Sequence, residues 1–356
     1  MKQQIRSVFL PGICLSLGLL VSQAQAQQEE APIWAYGFST QAQPGDTYEP
    51  QANPTGGLLP GDDVEEIQMP HHVEGSSATY SRMQVRDGHS VIDWFPGDHP
   101  EMSDIMKHGP ASMMAERGRG CASCHLPNGK GRPENAPPAG QPAAYTVQQL
   151  YDMRNGLRYT SDPRKRNTPT MIDLAKAMTE EEIQEAADYF AAIPWTKWMN
   201  VVEADMIPEM HLEEGNMFIT VGTEPTEPLG NRIVETPIDE HQANYLRNPR
   251  SAWNVYVPVG SLARGEELVM TGAGKTIQCG ICHGPDLMGL GNVPGIAGRS
   301  PSYMMRQLWD MRQGTRNGLQ AQLMKPVIAN LSVDDMTDIV AYLASVDVPP
   351  APGDMH

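Results

Sequence analysis

Cysteine is scarce in this chain. Five occur among 356 residues: Cys14 near the start, and Cys121, Cys124, Cys279 and Cys282 in two close pairs. Once the pairs are set aside, no thiol remains downstream for a structural disulfide. Long apolar runs are missing too. Beyond the first residues none reaches the roughly 20 residues of a membrane-spanning helix. Positive charge is short: 26 Lys and Arg against 43 Asp and Glu give a net charge of −17, which argues against a nucleic-acid partner. The β–α alternation of an α/β fold is absent as well.

What is present begins with an export signal. Lys2 and Arg6 precede a mostly apolar stretch from Val8 to Val21, and Ala24-Gln25-Ala26 reads as a small-residue cleavage site. A leader over 1–26 removes Cys14, and the mature chain is expected in the periplasm. The acid is unevenly spread. Residues 27–100 hold 12 acidic side chains against Arg82 and Arg86, and residues 201–240 hold 10 against Arg232, whereas residues 101–200 balance at 12 and 12. Such segments solubilise a surface or steer a basic partner toward it.

The cysteine pairs belong to one motif written twice, Cys121-Ala122-Ser123-Cys124-His125 and Cys279-Gly280-Ile281-Cys282-His283. Cys-x-x-Cys-His is the attachment signature of c-type haem: each thiol adds across a vinyl group, and the histidine is held beside the iron. A zinc site of the Cys₂His₂ kind needs a second histidine at finger spacing, and none follows either motif. A redox dithiol needs the α/β fold that the pattern lacks.

The repeat extends beyond the motifs. Tyr145–Gly156 matches Tyr303–Gly314 at an offset of 158, the separation of Cys121 from Cys279, and Met178–Phe190 matches Leu331–Leu343 at an offset of 153. Each copy reads as a small helical unit. In the second, helices are expected over Ser261–Thr271, from Ser300-Pro301 to Gln313 with Gly314 as the stop, and after the capping box Ser332/Asp335. On the middle one, Tyr303, Gln307, Leu308 and Met311 share one side. In the first copy Thr179/Glu182 is the box and Ile183, Ala186, Ala187 and Phe190 form the buried stripe. Residues 27–100 are expected to be irregular, with little helix, and packed on the first unit. Residues 198–258 read as an extended connector with short strands at Met217–Val221 and Ala252–Val257.

A sixth ligand closes a haem iron held by one histidine, and methionine is the choice that raises the potential. Met171 and Met324 occupy the same place at the 153 offset, each in a proline-containing stretch expected to be a loop. Arg154 and Arg312, like Arg158 and Arg316, repeat as well. They are candidates for charge-assisted bonds to haem propionates, with pairing to Asp152 and Asp310 as the plainer alternative.

Residues 101–197 and 259–347 resemble the two-haem class I cytochromes c of the c-four type, and also the cytochrome subunits of periplasmic dehydrogenases. The resemblance implies two tandem all-α haem domains with His–Met ligation and two covalently bound haem c groups. Cys121, Cys124, His125 and Met171 would serve one haem, and Cys279, Cys282, His283 and Met324 the other. In that family a proline carbonyl orients the haem histidine. Pro294 fits this in the second copy, while the first has Ala136 there and Pro137 next. The chain is expected to pass single electrons without catalysing a reaction itself, either as a free carrier or as a subunit of a quinoprotein or flavoprotein dehydrogenase; a dihaem enzyme of the peroxidase kind, with one iron open, is the remaining alternative. Its donor would be a dehydrogenase or quinol-oxidising complex, and its acceptor a cytochrome or terminal oxidase. Residues 348–356 form a short tail.

Overall fold

The computed structural model describes residues 29–48, 59, 61–213 and 216–350. The leader expected at 1–26, the turn signals at 54–57 and residues 351–356 of the tail lie outside them. The chain divides into residues 1–30 and a unit formed by residues 31–356. The N-terminal part of that unit carries short pieces: α1 (Ile33–Tyr36), α2 (Val64–Gln68), a hairpin of β1 (Pro70–His72) and β2 (Thr79–Ser81), and α3 (Arg82–Arg86). Asp63 caps α2, and Ser81 with Gln84 forms a capping box on α3.

The first haem domain follows as α4 (Asp104–His108), a 3₁₀ turn at 111–116, α5 (Cys121–His125), α6 (Ala143–Arg154), α7 (Asn167–Ala177) and α8 (Glu180–Ala191). The Thr179/Glu182 box is formed, and Ile183, Ala186, Ala187 and Phe190 are buried, as the helical spacing demands. The connector holds β3 (Met199–Glu203), a hairpin of β4 (Met206–Glu213) and β5 (Met217–Pro228), then β6 (Val234–Pro237) and β7 (Trp253–Val257). β7 is the middle strand of a three-stranded sheet, parallel to β3 and antiparallel to β6. It alternates, with Trp253, Val255 and Val257 inward.

The second haem domain repeats the first as α9 (Ser261–Thr271), α10 (Gly280–His283), α11 (Pro301–Gln313), α12 (Leu319–Ile328) and α13 (Val333–Ser345). α9, α11 and the start of α13 fall where capping chemistry put them. Ser300 accepts from Tyr303 N, Gly314 closes α11 at φ 79°, and the Ser332/Asp335 box opens α13. Gly265 lets α9 lie directly on α13, since a Cβ there would meet Asp338 O at 2.0 Å. Ile183, Phe190, Trp195, Met305, Met336 and Val340 belong to one apolar core that runs through both copies.

Three expectations change. Met171 lies in α7 and Met324 in α12, helices rather than loops. Pro169 is in the first turn of α7, where its missing N–H is no loss, and Pro326 is in the last turn of α12. α11 is not one-sided: Met304, Met305, Arg306, Trp309 and Asp310 are buried as well as Met311. The cover on that other side is α1, so the N-terminal segment does not pack on the first domain alone. The Tyr36 hydroxyl donates to Asp310 Oδ1 at 2.6 Å, and Arg306 donates to Ala35 O.

Candidate functional site: two haem-binding centres

In each copy the cysteine motif forms one helical turn that ends on the histidine, and the chain then turns sharply. Leu126 sits at φ 59°, where the second copy has Gly284 at φ 85°. His283 is buried and His125 half-buried, and both commit Nδ1 to a backbone carbonyl: His125 to Ala136 O at 2.8 Å, His283 to Pro294 O at 2.7 Å. Burial lowers both pKa values, while the carbonyl contact works the other way. Each ring is therefore neutral with Nδ1 protonated, which leaves Nε2 as the free donor for a metal. Ala136 serves as well as Pro294 because the acceptor is a main-chain oxygen and the side chain takes no part.

The first thiol of each motif is a poor nucleophile. Burial pushes Cys121 up to about 12 and Cys279 up to about 11. A dithiol redox centre needs the opposite, a depressed thiol pKa. Among the described residues no group of three or more His, Cys, Asp and Glu side chains could hold a metal ion.

A cavity of about 740 Å³ opens beside the first motif, lined by Cys121, Cys124, His125, Met171, Leu174 and Phe190 among others. Met171 thus faces the same space as His125. Met324 is half-buried against the core in the second copy, as Cys279 is. The first cavity carries buried cations. Lys165 is 2% exposed, its Nζ finds no hydrogen-bond partner, and burial with the nearby charge of Arg306 drives its pKa well down. Arg158, also in the lining and buried, bonds neutral groups, Gln149, Tyr303 and Gln307. Its counterpart Arg316, likewise buried but not part of the lining, bonds Tyr145 and Gln149. An anionic occupant would restore the charge on Lys165 and pair with Arg158. A porphyrin with two propionate carboxylates, thiol-reactive vinyl groups and an iron fits this lining.

Arg154 and Arg312 are occupied elsewhere. Arg154 donates to Ala175 O, Met178 O and Glu180, and Arg312 donates to Leu331 O. Met178 and Leu331 are equivalent positions, so both arginines tie the middle helix of their copy to the entry of the last one. Of the repeated arginines, Arg158 lines the cavity. Sequence reasoning passed over Lys165, Gln149, Gln141 and Arg299. Gln141 and Arg299 share the 158 offset but differ in type, so a search for identical residues skips them.

The copies differ in cover. Ser123 of the first motif is 7% exposed: Gly88 packs so close that a Cβ would meet Ser123 Oγ at 3.0 Å, and Arg247 of the connector donates to Ser123 O. The equivalent Ile281 is 63% exposed, and Ile277 just ahead of the motif and Leu319 and Leu323 of α12 are exposed too. Thr276 donates to Val327 O at 2.5 Å, so the segment entering the second motif lies against the end of α12.

The cytochrome c family profile matches residues 107–193 and 262–347. The chain is 27% identical to a thiosulfate dehydrogenase electron acceptor of Stutzerimonas stutzeri over 64% of its own length and 78% of the relative's. It is 37% identical to cytochrome c-554(548) of Halomonas halodenitrificans, covering 24% of this chain and 96% of that one. It is 32% identical to cytochrome c4 of Azotobacter vinelandii over 24% of this chain, and it spans only 45% of that relative. With two family segments, each built around its own Cys-x-x-Cys-His turn, the chain belongs to the cytochrome c family and is a dihaem electron-transfer protein of the c4 type with two covalently bound haem c groups.

Proposed function

We propose that the chain is a periplasmic one-electron acceptor for a dehydrogenase, with Cys121, Cys124, His125 and Met171 holding one haem and Cys279, Cys282, His283 and Met324 the other. Bound haem supplies the ferric–ferrous exchange. The chain's own residues do the rest. His125 and His283 present Nε2 because their Nδ1 is taken, and Met171 and Met324 would supply the further ligand of each group. Arg158 and Lys165, which line the first cavity, would balance propionates there. The single observation that carries this reading is the twofold occurrence of a Cys-x-x-Cys-His turn whose histidine is locked to a main-chain carbonyl. The exposed Ile281 and Ile277 support the second motif as the contact point for a partner. The acid of segments 27–100 and 201–240 favours a partner of basic surface.

The named activity of the thiosulfate dehydrogenase electron acceptor supports one donor in particular, and with it a second reading as a dedicated subunit of such a complex. The leader over 1–26 supports export. Among the described residues no helix is long and apolar enough to cross a membrane.

The test is carbon monoxide binding to the dithionite-reduced holoprotein, followed by stopped-flow oxidation with mitochondrial cytochrome c, a small basic haem protein. No carbon monoxide spectrum and a fast, salt-sensitive electron exchange support the reading. Carbon monoxide uptake at one haem removes Met171 or Met324 from the ligand set and moves the chain toward catalysis.

A further inference from the structure

The loops that hold the two haem histidines are latched to each other across the copies. Gln141 and Arg299 occupy equivalent positions and reach in opposite directions. Gln141 of the first copy pairs with the backbone of Gly295: Gly295 N donates to its Oε1 and its Nε2 donates to Gly295 O, both at 3.0 Å. Arg299 of the second copy donates to Pro137 O at 2.6 Å and Ala139 O at 3.0 Å, and its Nε donates to Gly295 O at 2.9 Å. Both side chains are buried, and Arg299 also lies over the Trp195 ring at 3.9 Å.

The Pro294–Gly295 peptide is thereby engaged at both ends. Its carbonyl accepts from His283 Nδ1, and its N–H donates to Gln141. Hydrogen bonds at the two ends of one amide polarise each other. The equivalent peptide in the first copy is Ala136–Pro137, which has no N–H to give. We propose that Gln141, a residue of the first domain, is a positioning residue that tunes the second haem alone through the Pro294–Gly295 peptide. Withdrawal of electron density through the N–H makes Pro294 O the stronger acceptor. That gives the His283 ring more imidazolate character and strengthens it as a donor to iron, which favours the ferric state. The proposal rests on His283 being an axial ligand.

The experiment is a spectroelectrochemical titration of the holoprotein and its Gln141→Met and Gln141→Glu variants. The second haem is assigned by the potential that moves in a Met324→His variant. Gln141→Met is expected to raise the second haem's potential and leave the first unchanged. Gln141→Glu keeps an oxygen for the Gly295 N–H and returns the potential to the native value or below it. An equal shift of both haems, as a general loosening of the interface would give, overturns the proposal, and so does an unmoved second haem. A second measurement needs no variant. In the reduced native protein the Nδ1–H proton of His283 should resonate downfield of that of His125, and the reverse order or coincidence overturns the proposal. Failure to find a ligated-histidine signal for His283 defeats the ligand assignment itself, a different result from a ligated ring with no asymmetry.

Discussion

Arg158 and Arg316, equivalent residues of the two copies, meet in an antiparallel backbone bridge, and each sends its guanidinium into the other copy. Arg158 reaches Gln307 Oε1 at 3.0 Å, and Arg316 reaches Gln149 Oε1 at 2.9 Å. The flanking backbone supports the crossing, with Tyr159 N donating to Thr315 O and Asn317 N to Leu157 O. Like charges brought this close in a buried place are tolerable only with many acceptors around them. Tyr145, Gln149, Tyr303 and Gln307 supply them.

Because Gln149 accepts from both arginines, their contributions are coupled. Arg158→Met and Arg316→Met should each cost about 1.5–3 kcal/mol of holoprotein stability, the range for hydrogen bonds to charged groups. The double variant should fall short of the sum by about 0.5–3 kcal/mol. Denaturant unfolding of the four proteins gives the cycle. Strict additivity would mean that the shared acceptor carries no energy.

Tyr36 ties the N-terminal segment to the second domain. It is 1% exposed, and its hydroxyl is one of two donors to Asp310, the other being Ser161 N. Tyr36→Phe should cost about 1–3 kcal/mol, because Asp310 stays buried with one partner fewer. The melting temperature should fall, and limited proteolysis should cut sooner in residues 37–60. An unchanged cleavage pattern would mean that the segment is held by other contacts.

Met171→Ala and Met324→Ala should each open one iron. Carbon monoxide added to the reduced holoprotein should bind one haem in each single variant, both in the double and neither in the native protein. A single variant that stays closed to carbon monoxide loses its methionine as the assigned ligand.

His99 supplies a pH dependence. Burial pushes its pKa down, but the hydrogen bond to Asp93, the Pro100 carbonyl and the charges of Asp93 and Asp98 more than reverse this, so the folded value is raised. A raised folded value gives stability that is fully present below the unfolded pKa of about 6.5 and is lost as pH rises through the folded one. His99→Gln should therefore be destabilising at about pH 5.5 and close to neutral at about pH 8. Urea midpoints at the two pH values decide it; a larger loss on the alkaline side would reverse the sign.

Much of the local structure was legible because its causes lie within a few residues. The Cys-x-x-Cys-His turns, the Ser300-Pro301 start and Gly314 stop of α11, and the capping boxes at Thr179 and Ser332 are each written within a span of about one helical turn. Proline misled at Met171 and Met324, since its cost depends on where in a helix it falls, and the sequence does not say where the helix begins.

The sequence by itself determined two haem-binding units and their helices apart from α7 and α12. Only the tertiary structure decided which side chains cross between the copies. Arg154 turns to its own helix ends, Arg158 and Arg316 exchange partners, α1 covers α11, and Gln141 reaches Gly295. These pairs are separated by up to 274 residues. No local spacing encodes such a meeting. It follows from how the buried apolar faces close on one another, and the polar groups caught between them then have to find partners.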